Sequence, residues 1–222
     1  MKRIGDIILT TKSTFERLRG FENDAGVLTE TFLEEQYYWL VEELRPDTIA
    51  IDVGANMGDS AIYFAMQPDI AKVYAYEPYP NLYEKLKSYT DKSIRKSKIE
   101  IFNMAVSKPN SDYSFNIKDT IASADTPLME GNGKSIHAVG LDKIINQIDG
   151  NSPIIIKMDC EGGEFVILNK GLDLSKVYRM QIEVHEKLGN ITSLEAILND
   201  YGFKTKTGNG EAKDMLWLYA WK

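Results

Sequence analysis

The sequence predicts an α/β domain in which a mostly parallel, doubly wound sheet of seven strands ends in an antiparallel C-terminal strand and carries helices on both faces. Apolar runs typical of buried strands alternate along the 222 residues with segments of helical periodicity, and this alternation builds parallel sheets. The last two apolar runs are separated by a short glycine-containing segment, which can join antiparallel strands but is too short for a parallel crossover. The first of the predicted sheet strands breaks into a glycine turn, where such sheets bind nucleotides.

The first half of the chain supplies the elements that lead to and follow this turn. Residues 29–44 carry apolar side chains at helical spacing and predict a helix packed on the sheet. Apolar runs predict strands at residues 49–53, 72–76 and 99–106. Between them, helices are predicted at residues 60–66, directly after the turn, and at residues 80–89, where Pro80 suits the first helical turn.

Residues 107–135 interrupt the alternation. They lose regular periodicity and are rich in glycine, proline and asparagine, although Tyr113, Phe115 and Ile117 alternate like a short edge strand. Long loops inside compact domains are usually functional covers or mobile segments. We therefore predict a substrate cover loop over residues 107–135, with Phe115 and Ser123 as substrate contacts.

The remaining elements complete the sheet. Periodicity predicts helices at residues 141–148, 164–169 and 193–201. Apolar or alternating runs predict strands at residues 154–158, 177–184, 203–207 and 215–221. Thr192 or Ser193 is the predicted cap of the last helix. The closing hairpin is expected to turn at residues 208–210.

Composition limits the possible partners. A formal net charge of −7 disfavours a nucleic-acid backbone as partner, and no apolar stretch reaches the length of a membrane-spanning helix. The single cysteine, Cys160, excludes an intramolecular disulfide framework and favours the cytoplasm. The chain length fits one domain at residues 46–222, preceded by a helical extension, residues 1–45, packed on it. Oligomeric state is left open by the sequence.

The turn at residues 52–58 predicts which ligand binds there. Its pattern is G-x-N-x-G, which differs from the G-x-G-x-x-G of dinucleotide-binding proteins. The acidic residue before it, Asp52, is a poor neighbour for a pyrophosphate and a good one for positive charge. S-Adenosylmethionine carries a cationic sulfur and an ammonium group, so the turn favours this cofactor.

Acidic residues follow three further strands. Glu77 lies 23 residues after Gly54, at the end of the second strand, where nucleotide-binding folds place the acid that binds ribose hydroxyls. Three acids follow the fourth strand, and Glu183 and His185 share one face at the end of the fifth. Acids and an imidazole beside a cofactor are suited to acid–base chemistry.

Four motifs together resemble the FkbM family of S-adenosylmethionine-dependent methyltransferases: DVGANMG at residues 52–58, EPYPN at 77–81, KMDCEGGE at 157–164 and IEVH at 182–185. The resemblance implies a Rossmann-like class I methyltransferase fold, with residues 46–222 as the domain that binds the cofactor. It also implies methyl transfer to oxygen, typically a hydroxyl of a sugar or another small metabolite. The expected acceptor is a small molecule or a glycan, with no nucleic acid and no membrane involved.

The resemblance also implies roles for individual residues. Those expected to line the cofactor are Asp52, Gly54, Asn56, Gly58, Glu77, Pro78, Asn103, Met104, Ala105 and Asp159. Asp159 and Glu161 are expected to border the transferred methyl group, with Glu183 at the acceptor. His185 is the first choice for the base, because imidazole accepts protons near neutral pH, and Asp159 or Glu161 can replace or orient it.

Several alternatives remain. His185 can also be a strand-end histidine that only satisfies a backbone partner, and His137, after the glycine-containing loop, fits a surface role better than catalysis. No metal is predicted, although a divalent ion bound by Asp159, Glu161, Glu183 and His185 is a less favoured alternative. A nicotinamide-dependent oxidoreductase and a non-catalytic module that binds the cofactor are the rival functions.

Overall fold

The computed structural model describes residues 3–4, 7–8, 29–108, 110–117, 130–186, 189–210 and 215–222. Arg3–Ile4 and Ile7–Ile8 form a two-residue antiparallel pair. The strands that follow are β1 (Thr48–Val53), β2 (Ile70–Tyr76), β3 (Ile99–Phe102), β4 (Met104–Ser107), β5 (Asp112–Ile117), β6 (Glu130–Gly140), β7 (Ile154–Met158), β8 (Val177–His185), β9 (Lys204–Asn209) and β10 (Met215–Trp221). The α-helices are α1 (Tyr38–Val41), α2 (Asp59–Met66), α3 (Pro80–Lys92), α4 (Leu141–Gln147), α5 (Glu164–Ile167) and α6 (Ile191–Asp200).

Seven strands form the central sheet in the order β9-β10-β8-β7-β1-β2-β3. Strand β10 is antiparallel to both of its neighbours, and the other pairs are parallel. This confirms the predicted sheet. The chain leaves β1 toward β2 on one side, whereas β7 lies on the other side of β1, so the strand order reverses between them. Ligands of open α/β sheets bind at the carboxyl ends of the strands beside such a reversal.

Helices cover both faces of this sheet. On one face, Ile51, Ile156 and Ile182 pack in one core cluster with Leu141 of α4 and Leu198 of α6. Alternate residues of the same strands face the opposite side. There a second cluster joins buried residues of β1 and β7 to α2 and to the segment before β1: Ala50, Ile155, Tyr63, Tyr37 and Leu40. No helix among the described residues is long and apolar enough to cross a membrane.

The segment before β1 differs from the prediction of one helix over residues 29–44. It consists of a π-helical turn, Thr29–Leu33, and the short helix α1, with Glu35 at a positive φ of 60° between them. Phe32 and Tyr37 both pack against Tyr63, with ring centroids 5.6 and 6.4 Å from its ring. A continuous helix would place these two side chains about 140° apart around its axis, so the backbone bends.

The predicted third strand and cover loop are also different. Residues 99–106 divide at Asn103 into β3 of the central sheet and β4 of a second, three-stranded sheet, ordered β4-β6-β5. Strand β5 and the first part of β6 lie within the predicted cover loop. The first residues of β6 are polar and rich in glycine, so the sequence did not predict this strand. It forms because backbone hydrogen bonds pair β6 with β5 regardless of side-chain polarity. Ser123 lies outside the described residues.

The closing hairpin is confirmed, but its turn is not at residues 208–210. Gly208 pairs with Trp217 and Asn209 with Leu216, so β9 continues through the predicted turn. The helix before it begins earlier than expected, because the side chain of Asn190 accepts a hydrogen bond from the Thr192 backbone N–H at 2.9 Å. Asn190 is therefore the cap, in place of Thr192 or Ser193.

Candidate functional site

The turn after β1 contacts the segment after β7 through backbone atoms. Gly54, Asn56 and Gly58 all have positive φ, at 74°, 46° and 97°. A Cβ atom at Gly54 would lie 1.7 Å from the carbonyl oxygen of Asp159. Only glycine satisfies both the dihedral angle and this approach, so the turn brings the ends of two strands into direct contact.

Glu77 joins the turn to the end of β2. Its Oε2 accepts a hydrogen bond from the Asn56 backbone N–H at 2.9 Å, and its Oε1 accepts one from the Tyr79 N–H at 2.8 Å. Burial raises the pKa of this carboxyl to about 7, although both backbone hydrogen bonds lower it. Each carboxylate oxygen has a further lone pair, so Glu77 can still accept hydrogen bonds from a ligand hydroxyl.

Asn103 holds the segment that carries Glu77. Its Nδ2 donates to the carbonyl oxygens of Glu77 and Pro78, both at 2.9 Å. The next residue, Met104, packs against the core, and Ala105 is buried in a third cluster with Tyr79. The structure therefore gives Asn103 a positioning contact, while contacts of these three residues with the cofactor stay predictions.

Asp52 is fully buried and faces a cation of the protein itself. Its Oδ2 accepts a hydrogen bond from the Ser60 hydroxyl at 2.6 Å, and its Oδ1 lies 3.3 Å from Lys157 Nζ. Sequence reasoning did not identify Lys157 as functional. A lysine within the apolar run of β7 was the available signal, because lysine is seldom buried without a partner.

The segment before β1 also lies close to Asp52 and Lys157. The Thr31 hydroxyl donates to Asp59 at the start of α2, and the Tyr37 ring centroid lies 5.9 Å from Lys157 Nζ. Burial raises the pKa of Asp59 to about 7 and the pKa of Tyr37 well above its ordinary value. Tyr37 therefore stays a neutral phenol at physiological pH.

A second group of charges lies at the ends of β7 and β8. His185 Nε2 is 3.2 Å from Glu161 Oε2 and 3.5 Å from Glu183 Oε1. His185 Nδ1 is 3.5 Å from Glu164 Oε1, without hydrogen-bond alignment. The buried Glu164 also accepts the backbone N–H groups of His185 and Gly162, both at 2.9 Å, and so fixes the β7 segment against the end of β8.

These contacts set the protonation of His185. Burial alone would lower its pKa, but close pairing with the carboxylates of Glu161 and Glu164 raises it to about 10. Burial and the nearby Asp159 raise the pKa of Glu183 to about 8, although His185 lowers it. At neutral pH the imidazole is therefore protonated and acts as a cation or proton donor until it loses that proton.

The segment after β7 and the end of β8 also carry possible metal ligands and a cysteine. One ligand atom from each of Asp159, Glu161 and His185 lies within 4.8 Å of the others, so the three can hold a divalent ion if His185 gives up its proton. Burial raises the pKa of the Cys160 thiol well above its ordinary value. This is the opposite of what a thiolate nucleophile requires.

The predicted site residues thus form two adjoining groups. The turn, Glu77 and Asn103 make one, and Asp159, Glu161, Glu183 and His185 make the other. His137 lies apart from both, in β6, with Nε2 3.2 Å from Asp112 Oδ1. Phe115 lies in β5, paired with Ile136, and its contact with a substrate stays a prediction.

Comparison with known proteins identifies similar sequences. Residues 52–205 match the family described as "Methyltransferase FkbM domain". The chain is 26% identical over 148 residues to the hexuronic acid methyltransferase AglP of Haloferax volcanii, an alignment that covers 66% of the chain and 59% of that protein. The chain therefore matches about three fifths of this relative's length.

Solved structures share the fold. Methyltransferase FkbM from Methylobacillus flagellatus KT is 17% identical with a TM-score of 0.50, over 88% of this chain and 48% of that one. TrmK of M. capricolum, solved with S-adenosyl-homocysteine, is 12% identical with a TM-score of 0.53, over 84% of this chain and 67% of that one. At these identities the likeness shows a common fold.

Proposed function

The chain belongs to the FkbM methyltransferase domain family, and on this premise we propose that it transfers a methyl group from S-adenosylmethionine to a hydroxyl oxygen of a sugar or another small metabolite. The match over residues 52–205 confirms the resemblance drawn from the four motifs. Its Rossmann-like fold and its family make the chain a methyltransferase domain with S-adenosylmethionine as cofactor. The acceptor, the transfer to oxygen and the roles of individual residues are the proposal.

One observation carries the proposal: the group around Glu77 directly adjoins the group around Asp159. Glu77 is held on the turn by the Asn56 N–H, and Gly54 of the same turn touches the Asp159 carbonyl. A nucleoside bound by Glu77 can therefore extend along the turn toward the acids at the ends of β7 and β8. That order suits a cofactor whose reactive methyl group is carried by a sulfur joined directly to its ribose.

The chemistry is an in-line displacement at carbon. The acceptor oxygen forms a bond to the methyl carbon, the carbon–sulfur bond breaks with its electron pair going to sulfur, and the acceptor proton passes to a base. Alignment of the three atoms supplies much of the rate. Asp159 and Glu161 are then the readier bases, because His185 is protonated at neutral pH. His185 orients Glu161 at 3.2 Å and serves as the base only after deprotonation.

The acceptor class rests on a distant relative. AglP is named a hexuronic acid methyltransferase, which supports a sugar or glycan acceptor for this chain. The side chains support this choice, since the carboxyl oxygens of Glu161 and Glu183 can accept hydrogen bonds from sugar hydroxyls. A screen with isotopically labelled cofactor over neutral sugars, uronic acids, glycans and small hydroxylated metabolites identifies the acceptor by the labelled product.

Calorimetric titration tests the cofactor half. We expect S-adenosylmethionine and S-adenosylhomocysteine to bind and NAD(H) not to bind; binding of NAD(H) alone would favour the oxidoreductase and reject the proposal. Glu77→Gln should weaken cofactor binding about tenfold by losing a charged acceptor for the ribose hydroxyls. Glu84→Gln, an exposed carboxylate on α3, is the matched control and should leave affinity unchanged.

Turnover tests the reacting half. Asp159→Asn and His185→Ala should reduce turnover of the acceptor found in the screen much more than they weaken cofactor binding. Unchanged turnover in both variants would reject their roles. Cofactor binding without transfer to any acceptor class would instead favour the non-catalytic module.

A further inference from the structure

Lys157 is a buried cation at the point where the two groups of the site meet. It lies near the carboxyl end of β7, and its side chain is 2% exposed. Burial of an ammonium is costly unless it is paired and hydrogen-bonded. Its partners therefore indicate what its charge does.

Among the described residues, its hydrogen-bond and ion-pair partners belong to the cofactor turn or to the group around Asp159. Lys157 Nζ donates to the Gly54 carbonyl at 2.6 Å and lies 3.3 Å from Asp52 Oδ1 and 3.6 Å from Asp159 Oδ2. The Tyr37 ring covers it at 5.9 Å. Burial would lower the pKa of Lys157, but the attraction of the Asp52 and Asp159 carboxylates raises it well above its ordinary value, so the ammonium stays charged.

We propose that Lys157 is a positioning and charge-setting residue for methyl transfer. Its hydrogen bond fixes the Gly54 carbonyl and thereby the turn, and its positive charge offsets Asp52 and Asp159. This inference rests on the proposed function, because it requires the cofactor to bind along the turn.

The charge matters because the cofactor changes charge during the reaction. The sulfur of S-adenosylmethionine is cationic before transfer, whereas the sulfur of S-adenosylhomocysteine is neutral. Without Lys157, the uncompensated carboxylates would attract the cationic substrate form more than the neutral product form. Lys157 therefore lowers the preference of the site for the sulfonium and keeps the electrostatic field from opposing the loss of positive charge at sulfur.

Calorimetric titration of Lys157→Met with both cofactor forms tests the proposal. We expect both to bind more weakly, because the Gly54 carbonyl loses its donor. The affinity for S-adenosylhomocysteine should fall about tenfold more than that for S-adenosylmethionine, as expected for loss of a unit charge within roughly 12 Å at an effective dielectric constant of about 20. An equal loss for both ligands, which a merely structural role would give, or no loss, would overturn the proposal.

The double variant Asp52→Asn/Lys157→Met separates charge from positioning. It removes one negative and one positive charge, so the ratio of the two affinities should return to within about twofold of the wild-type ratio. Both ligands should still bind more weakly than to the wild type, because the Gly54 carbonyl lacks its donor. If Lys157→Met does not fold, the double variant alone tests the proposal. Wild-type affinity for both ligands would overturn it, and so would a ratio of the two affinities that still differs tenfold from the wild-type ratio.

Lys176→Met is the matched control. Lys176 also donates to a backbone carbonyl, that of Ile148 at 2.8 Å, but it precedes β8 at the opposite end of the sheet. Its replacement should leave the affinity ratio unchanged; a displaced ratio in this control would overturn the assignment to Lys157. If the wild-type chain binds neither cofactor form, the proposed function fails, whereas wild-type binding with unaltered Lys157 variants rejects only this inference.

Discussion

The two groups of the site are held together by different forces. Around Glu77, a single carboxylate accepts hydrogen bonds from backbone N–H groups, and Asn103 clamps the adjoining carbonyls. Around His185, charged side chains contact one another, with Glu161, Glu164 and Glu183 within 3.2–3.5 Å of the imidazole. One group is therefore held by hydrogen bonds to the backbone, whereas the other has contacts between titratable side chains in addition to such bonds.

This difference teaches how one sheet end can serve two purposes. Contacts with backbone N–H groups and carbonyls suit cofactor binding, because those groups do not titrate and Glu77 is ionised above its pKa of about 7. Proton transfer needs groups whose protonation can change, and burial raises the pKa of Glu183, beside His185, to about 8. The two groups should therefore respond differently to pH and to single substitutions.

The largest effect is expected at the border between them, from Gly54→Ala. The new Cβ would lie 1.7 Å from the Asp159 carbonyl, and the residue would keep a φ of 74°. The free energy of unfolding should fall by about 4 kcal/mol, since overpacking and backbone strain act together. Urea unfolding followed by circular dichroism measures it, and calorimetry should show loss of cofactor binding.

Gly150→Ala is the control for the dihedral angle alone. Gly150 has a similar φ of 69°, but no atom lies within 4 Å of the position of its Cβ. Its replacement by alanine should lower the free energy of unfolding by only about 1–2 kcal/mol. Equal losses of unfolding free energy at Gly54 and Gly150 would mean that the close contact between the two strand ends does not affect stability.

A smaller effect on the free energy of unfolding is expected when the pH is raised, and it should come from the group around His185. The folded-state pKa of His185 is about 10, above the unfolded value of about 6.5. Its contribution to stability is therefore fully present below about pH 6.5 and is lost as the pH rises through about 10. Between pH 8.5 and 10, above the pKa of Glu183, the wild type should lose about 2 kcal/mol of unfolding free energy more than His185→Gln.

Unfolding in urea at each pH, with a chelator present, measures this difference. His137→Gln replaces the other histidine of the chain, in the three-stranded sheet, and is the control for the change of residue type. A wild type and a His185→Gln variant that lose stability in parallel over this range would show that the imidazole is not held as a cation by its glutamates.

Sequence reasoning recovered the fold where local signals agreed. The apolar run of β1, its glycine turn and the helix after it were all recognisable, because Gly54 and Gly58 occupy positions that need a positive φ. It missed β6, whose first residues are polar and whose strand structure depends on pairing with β5. Local composition carries no information on that partner.

The candidate site divides in a similar way. Glu77 was identified because it follows a strand, and Glu183 and His185 because they lie at the carboxyl end of another. The pairing of Asp52 with Lys157 was missed, since the two are far apart in sequence and only the adjacency of β1 and β7 brings them together. The available signal was an acidic residue in one apolar run and a basic residue in another. The predicted fold makes these two runs neighbouring strands.

The smallest effect is expected in the group held by the backbone, from Asn103→Ala. This substitution removes the two hydrogen bonds to the Glu77 and Pro78 carbonyls, so the segment that presents Glu77 should loosen and cofactor affinity should fall about threefold. Calorimetry at pH 8 and 9.5 should give the same factor, because amide donors do not titrate there. Asn199→Ala, at an exposed position of α6, is the control without an expected loss. A factor that changes between the two pH values would mean that this group also depends on the charges around His185, and the contrast between backbone-held and charge-held regions would fail.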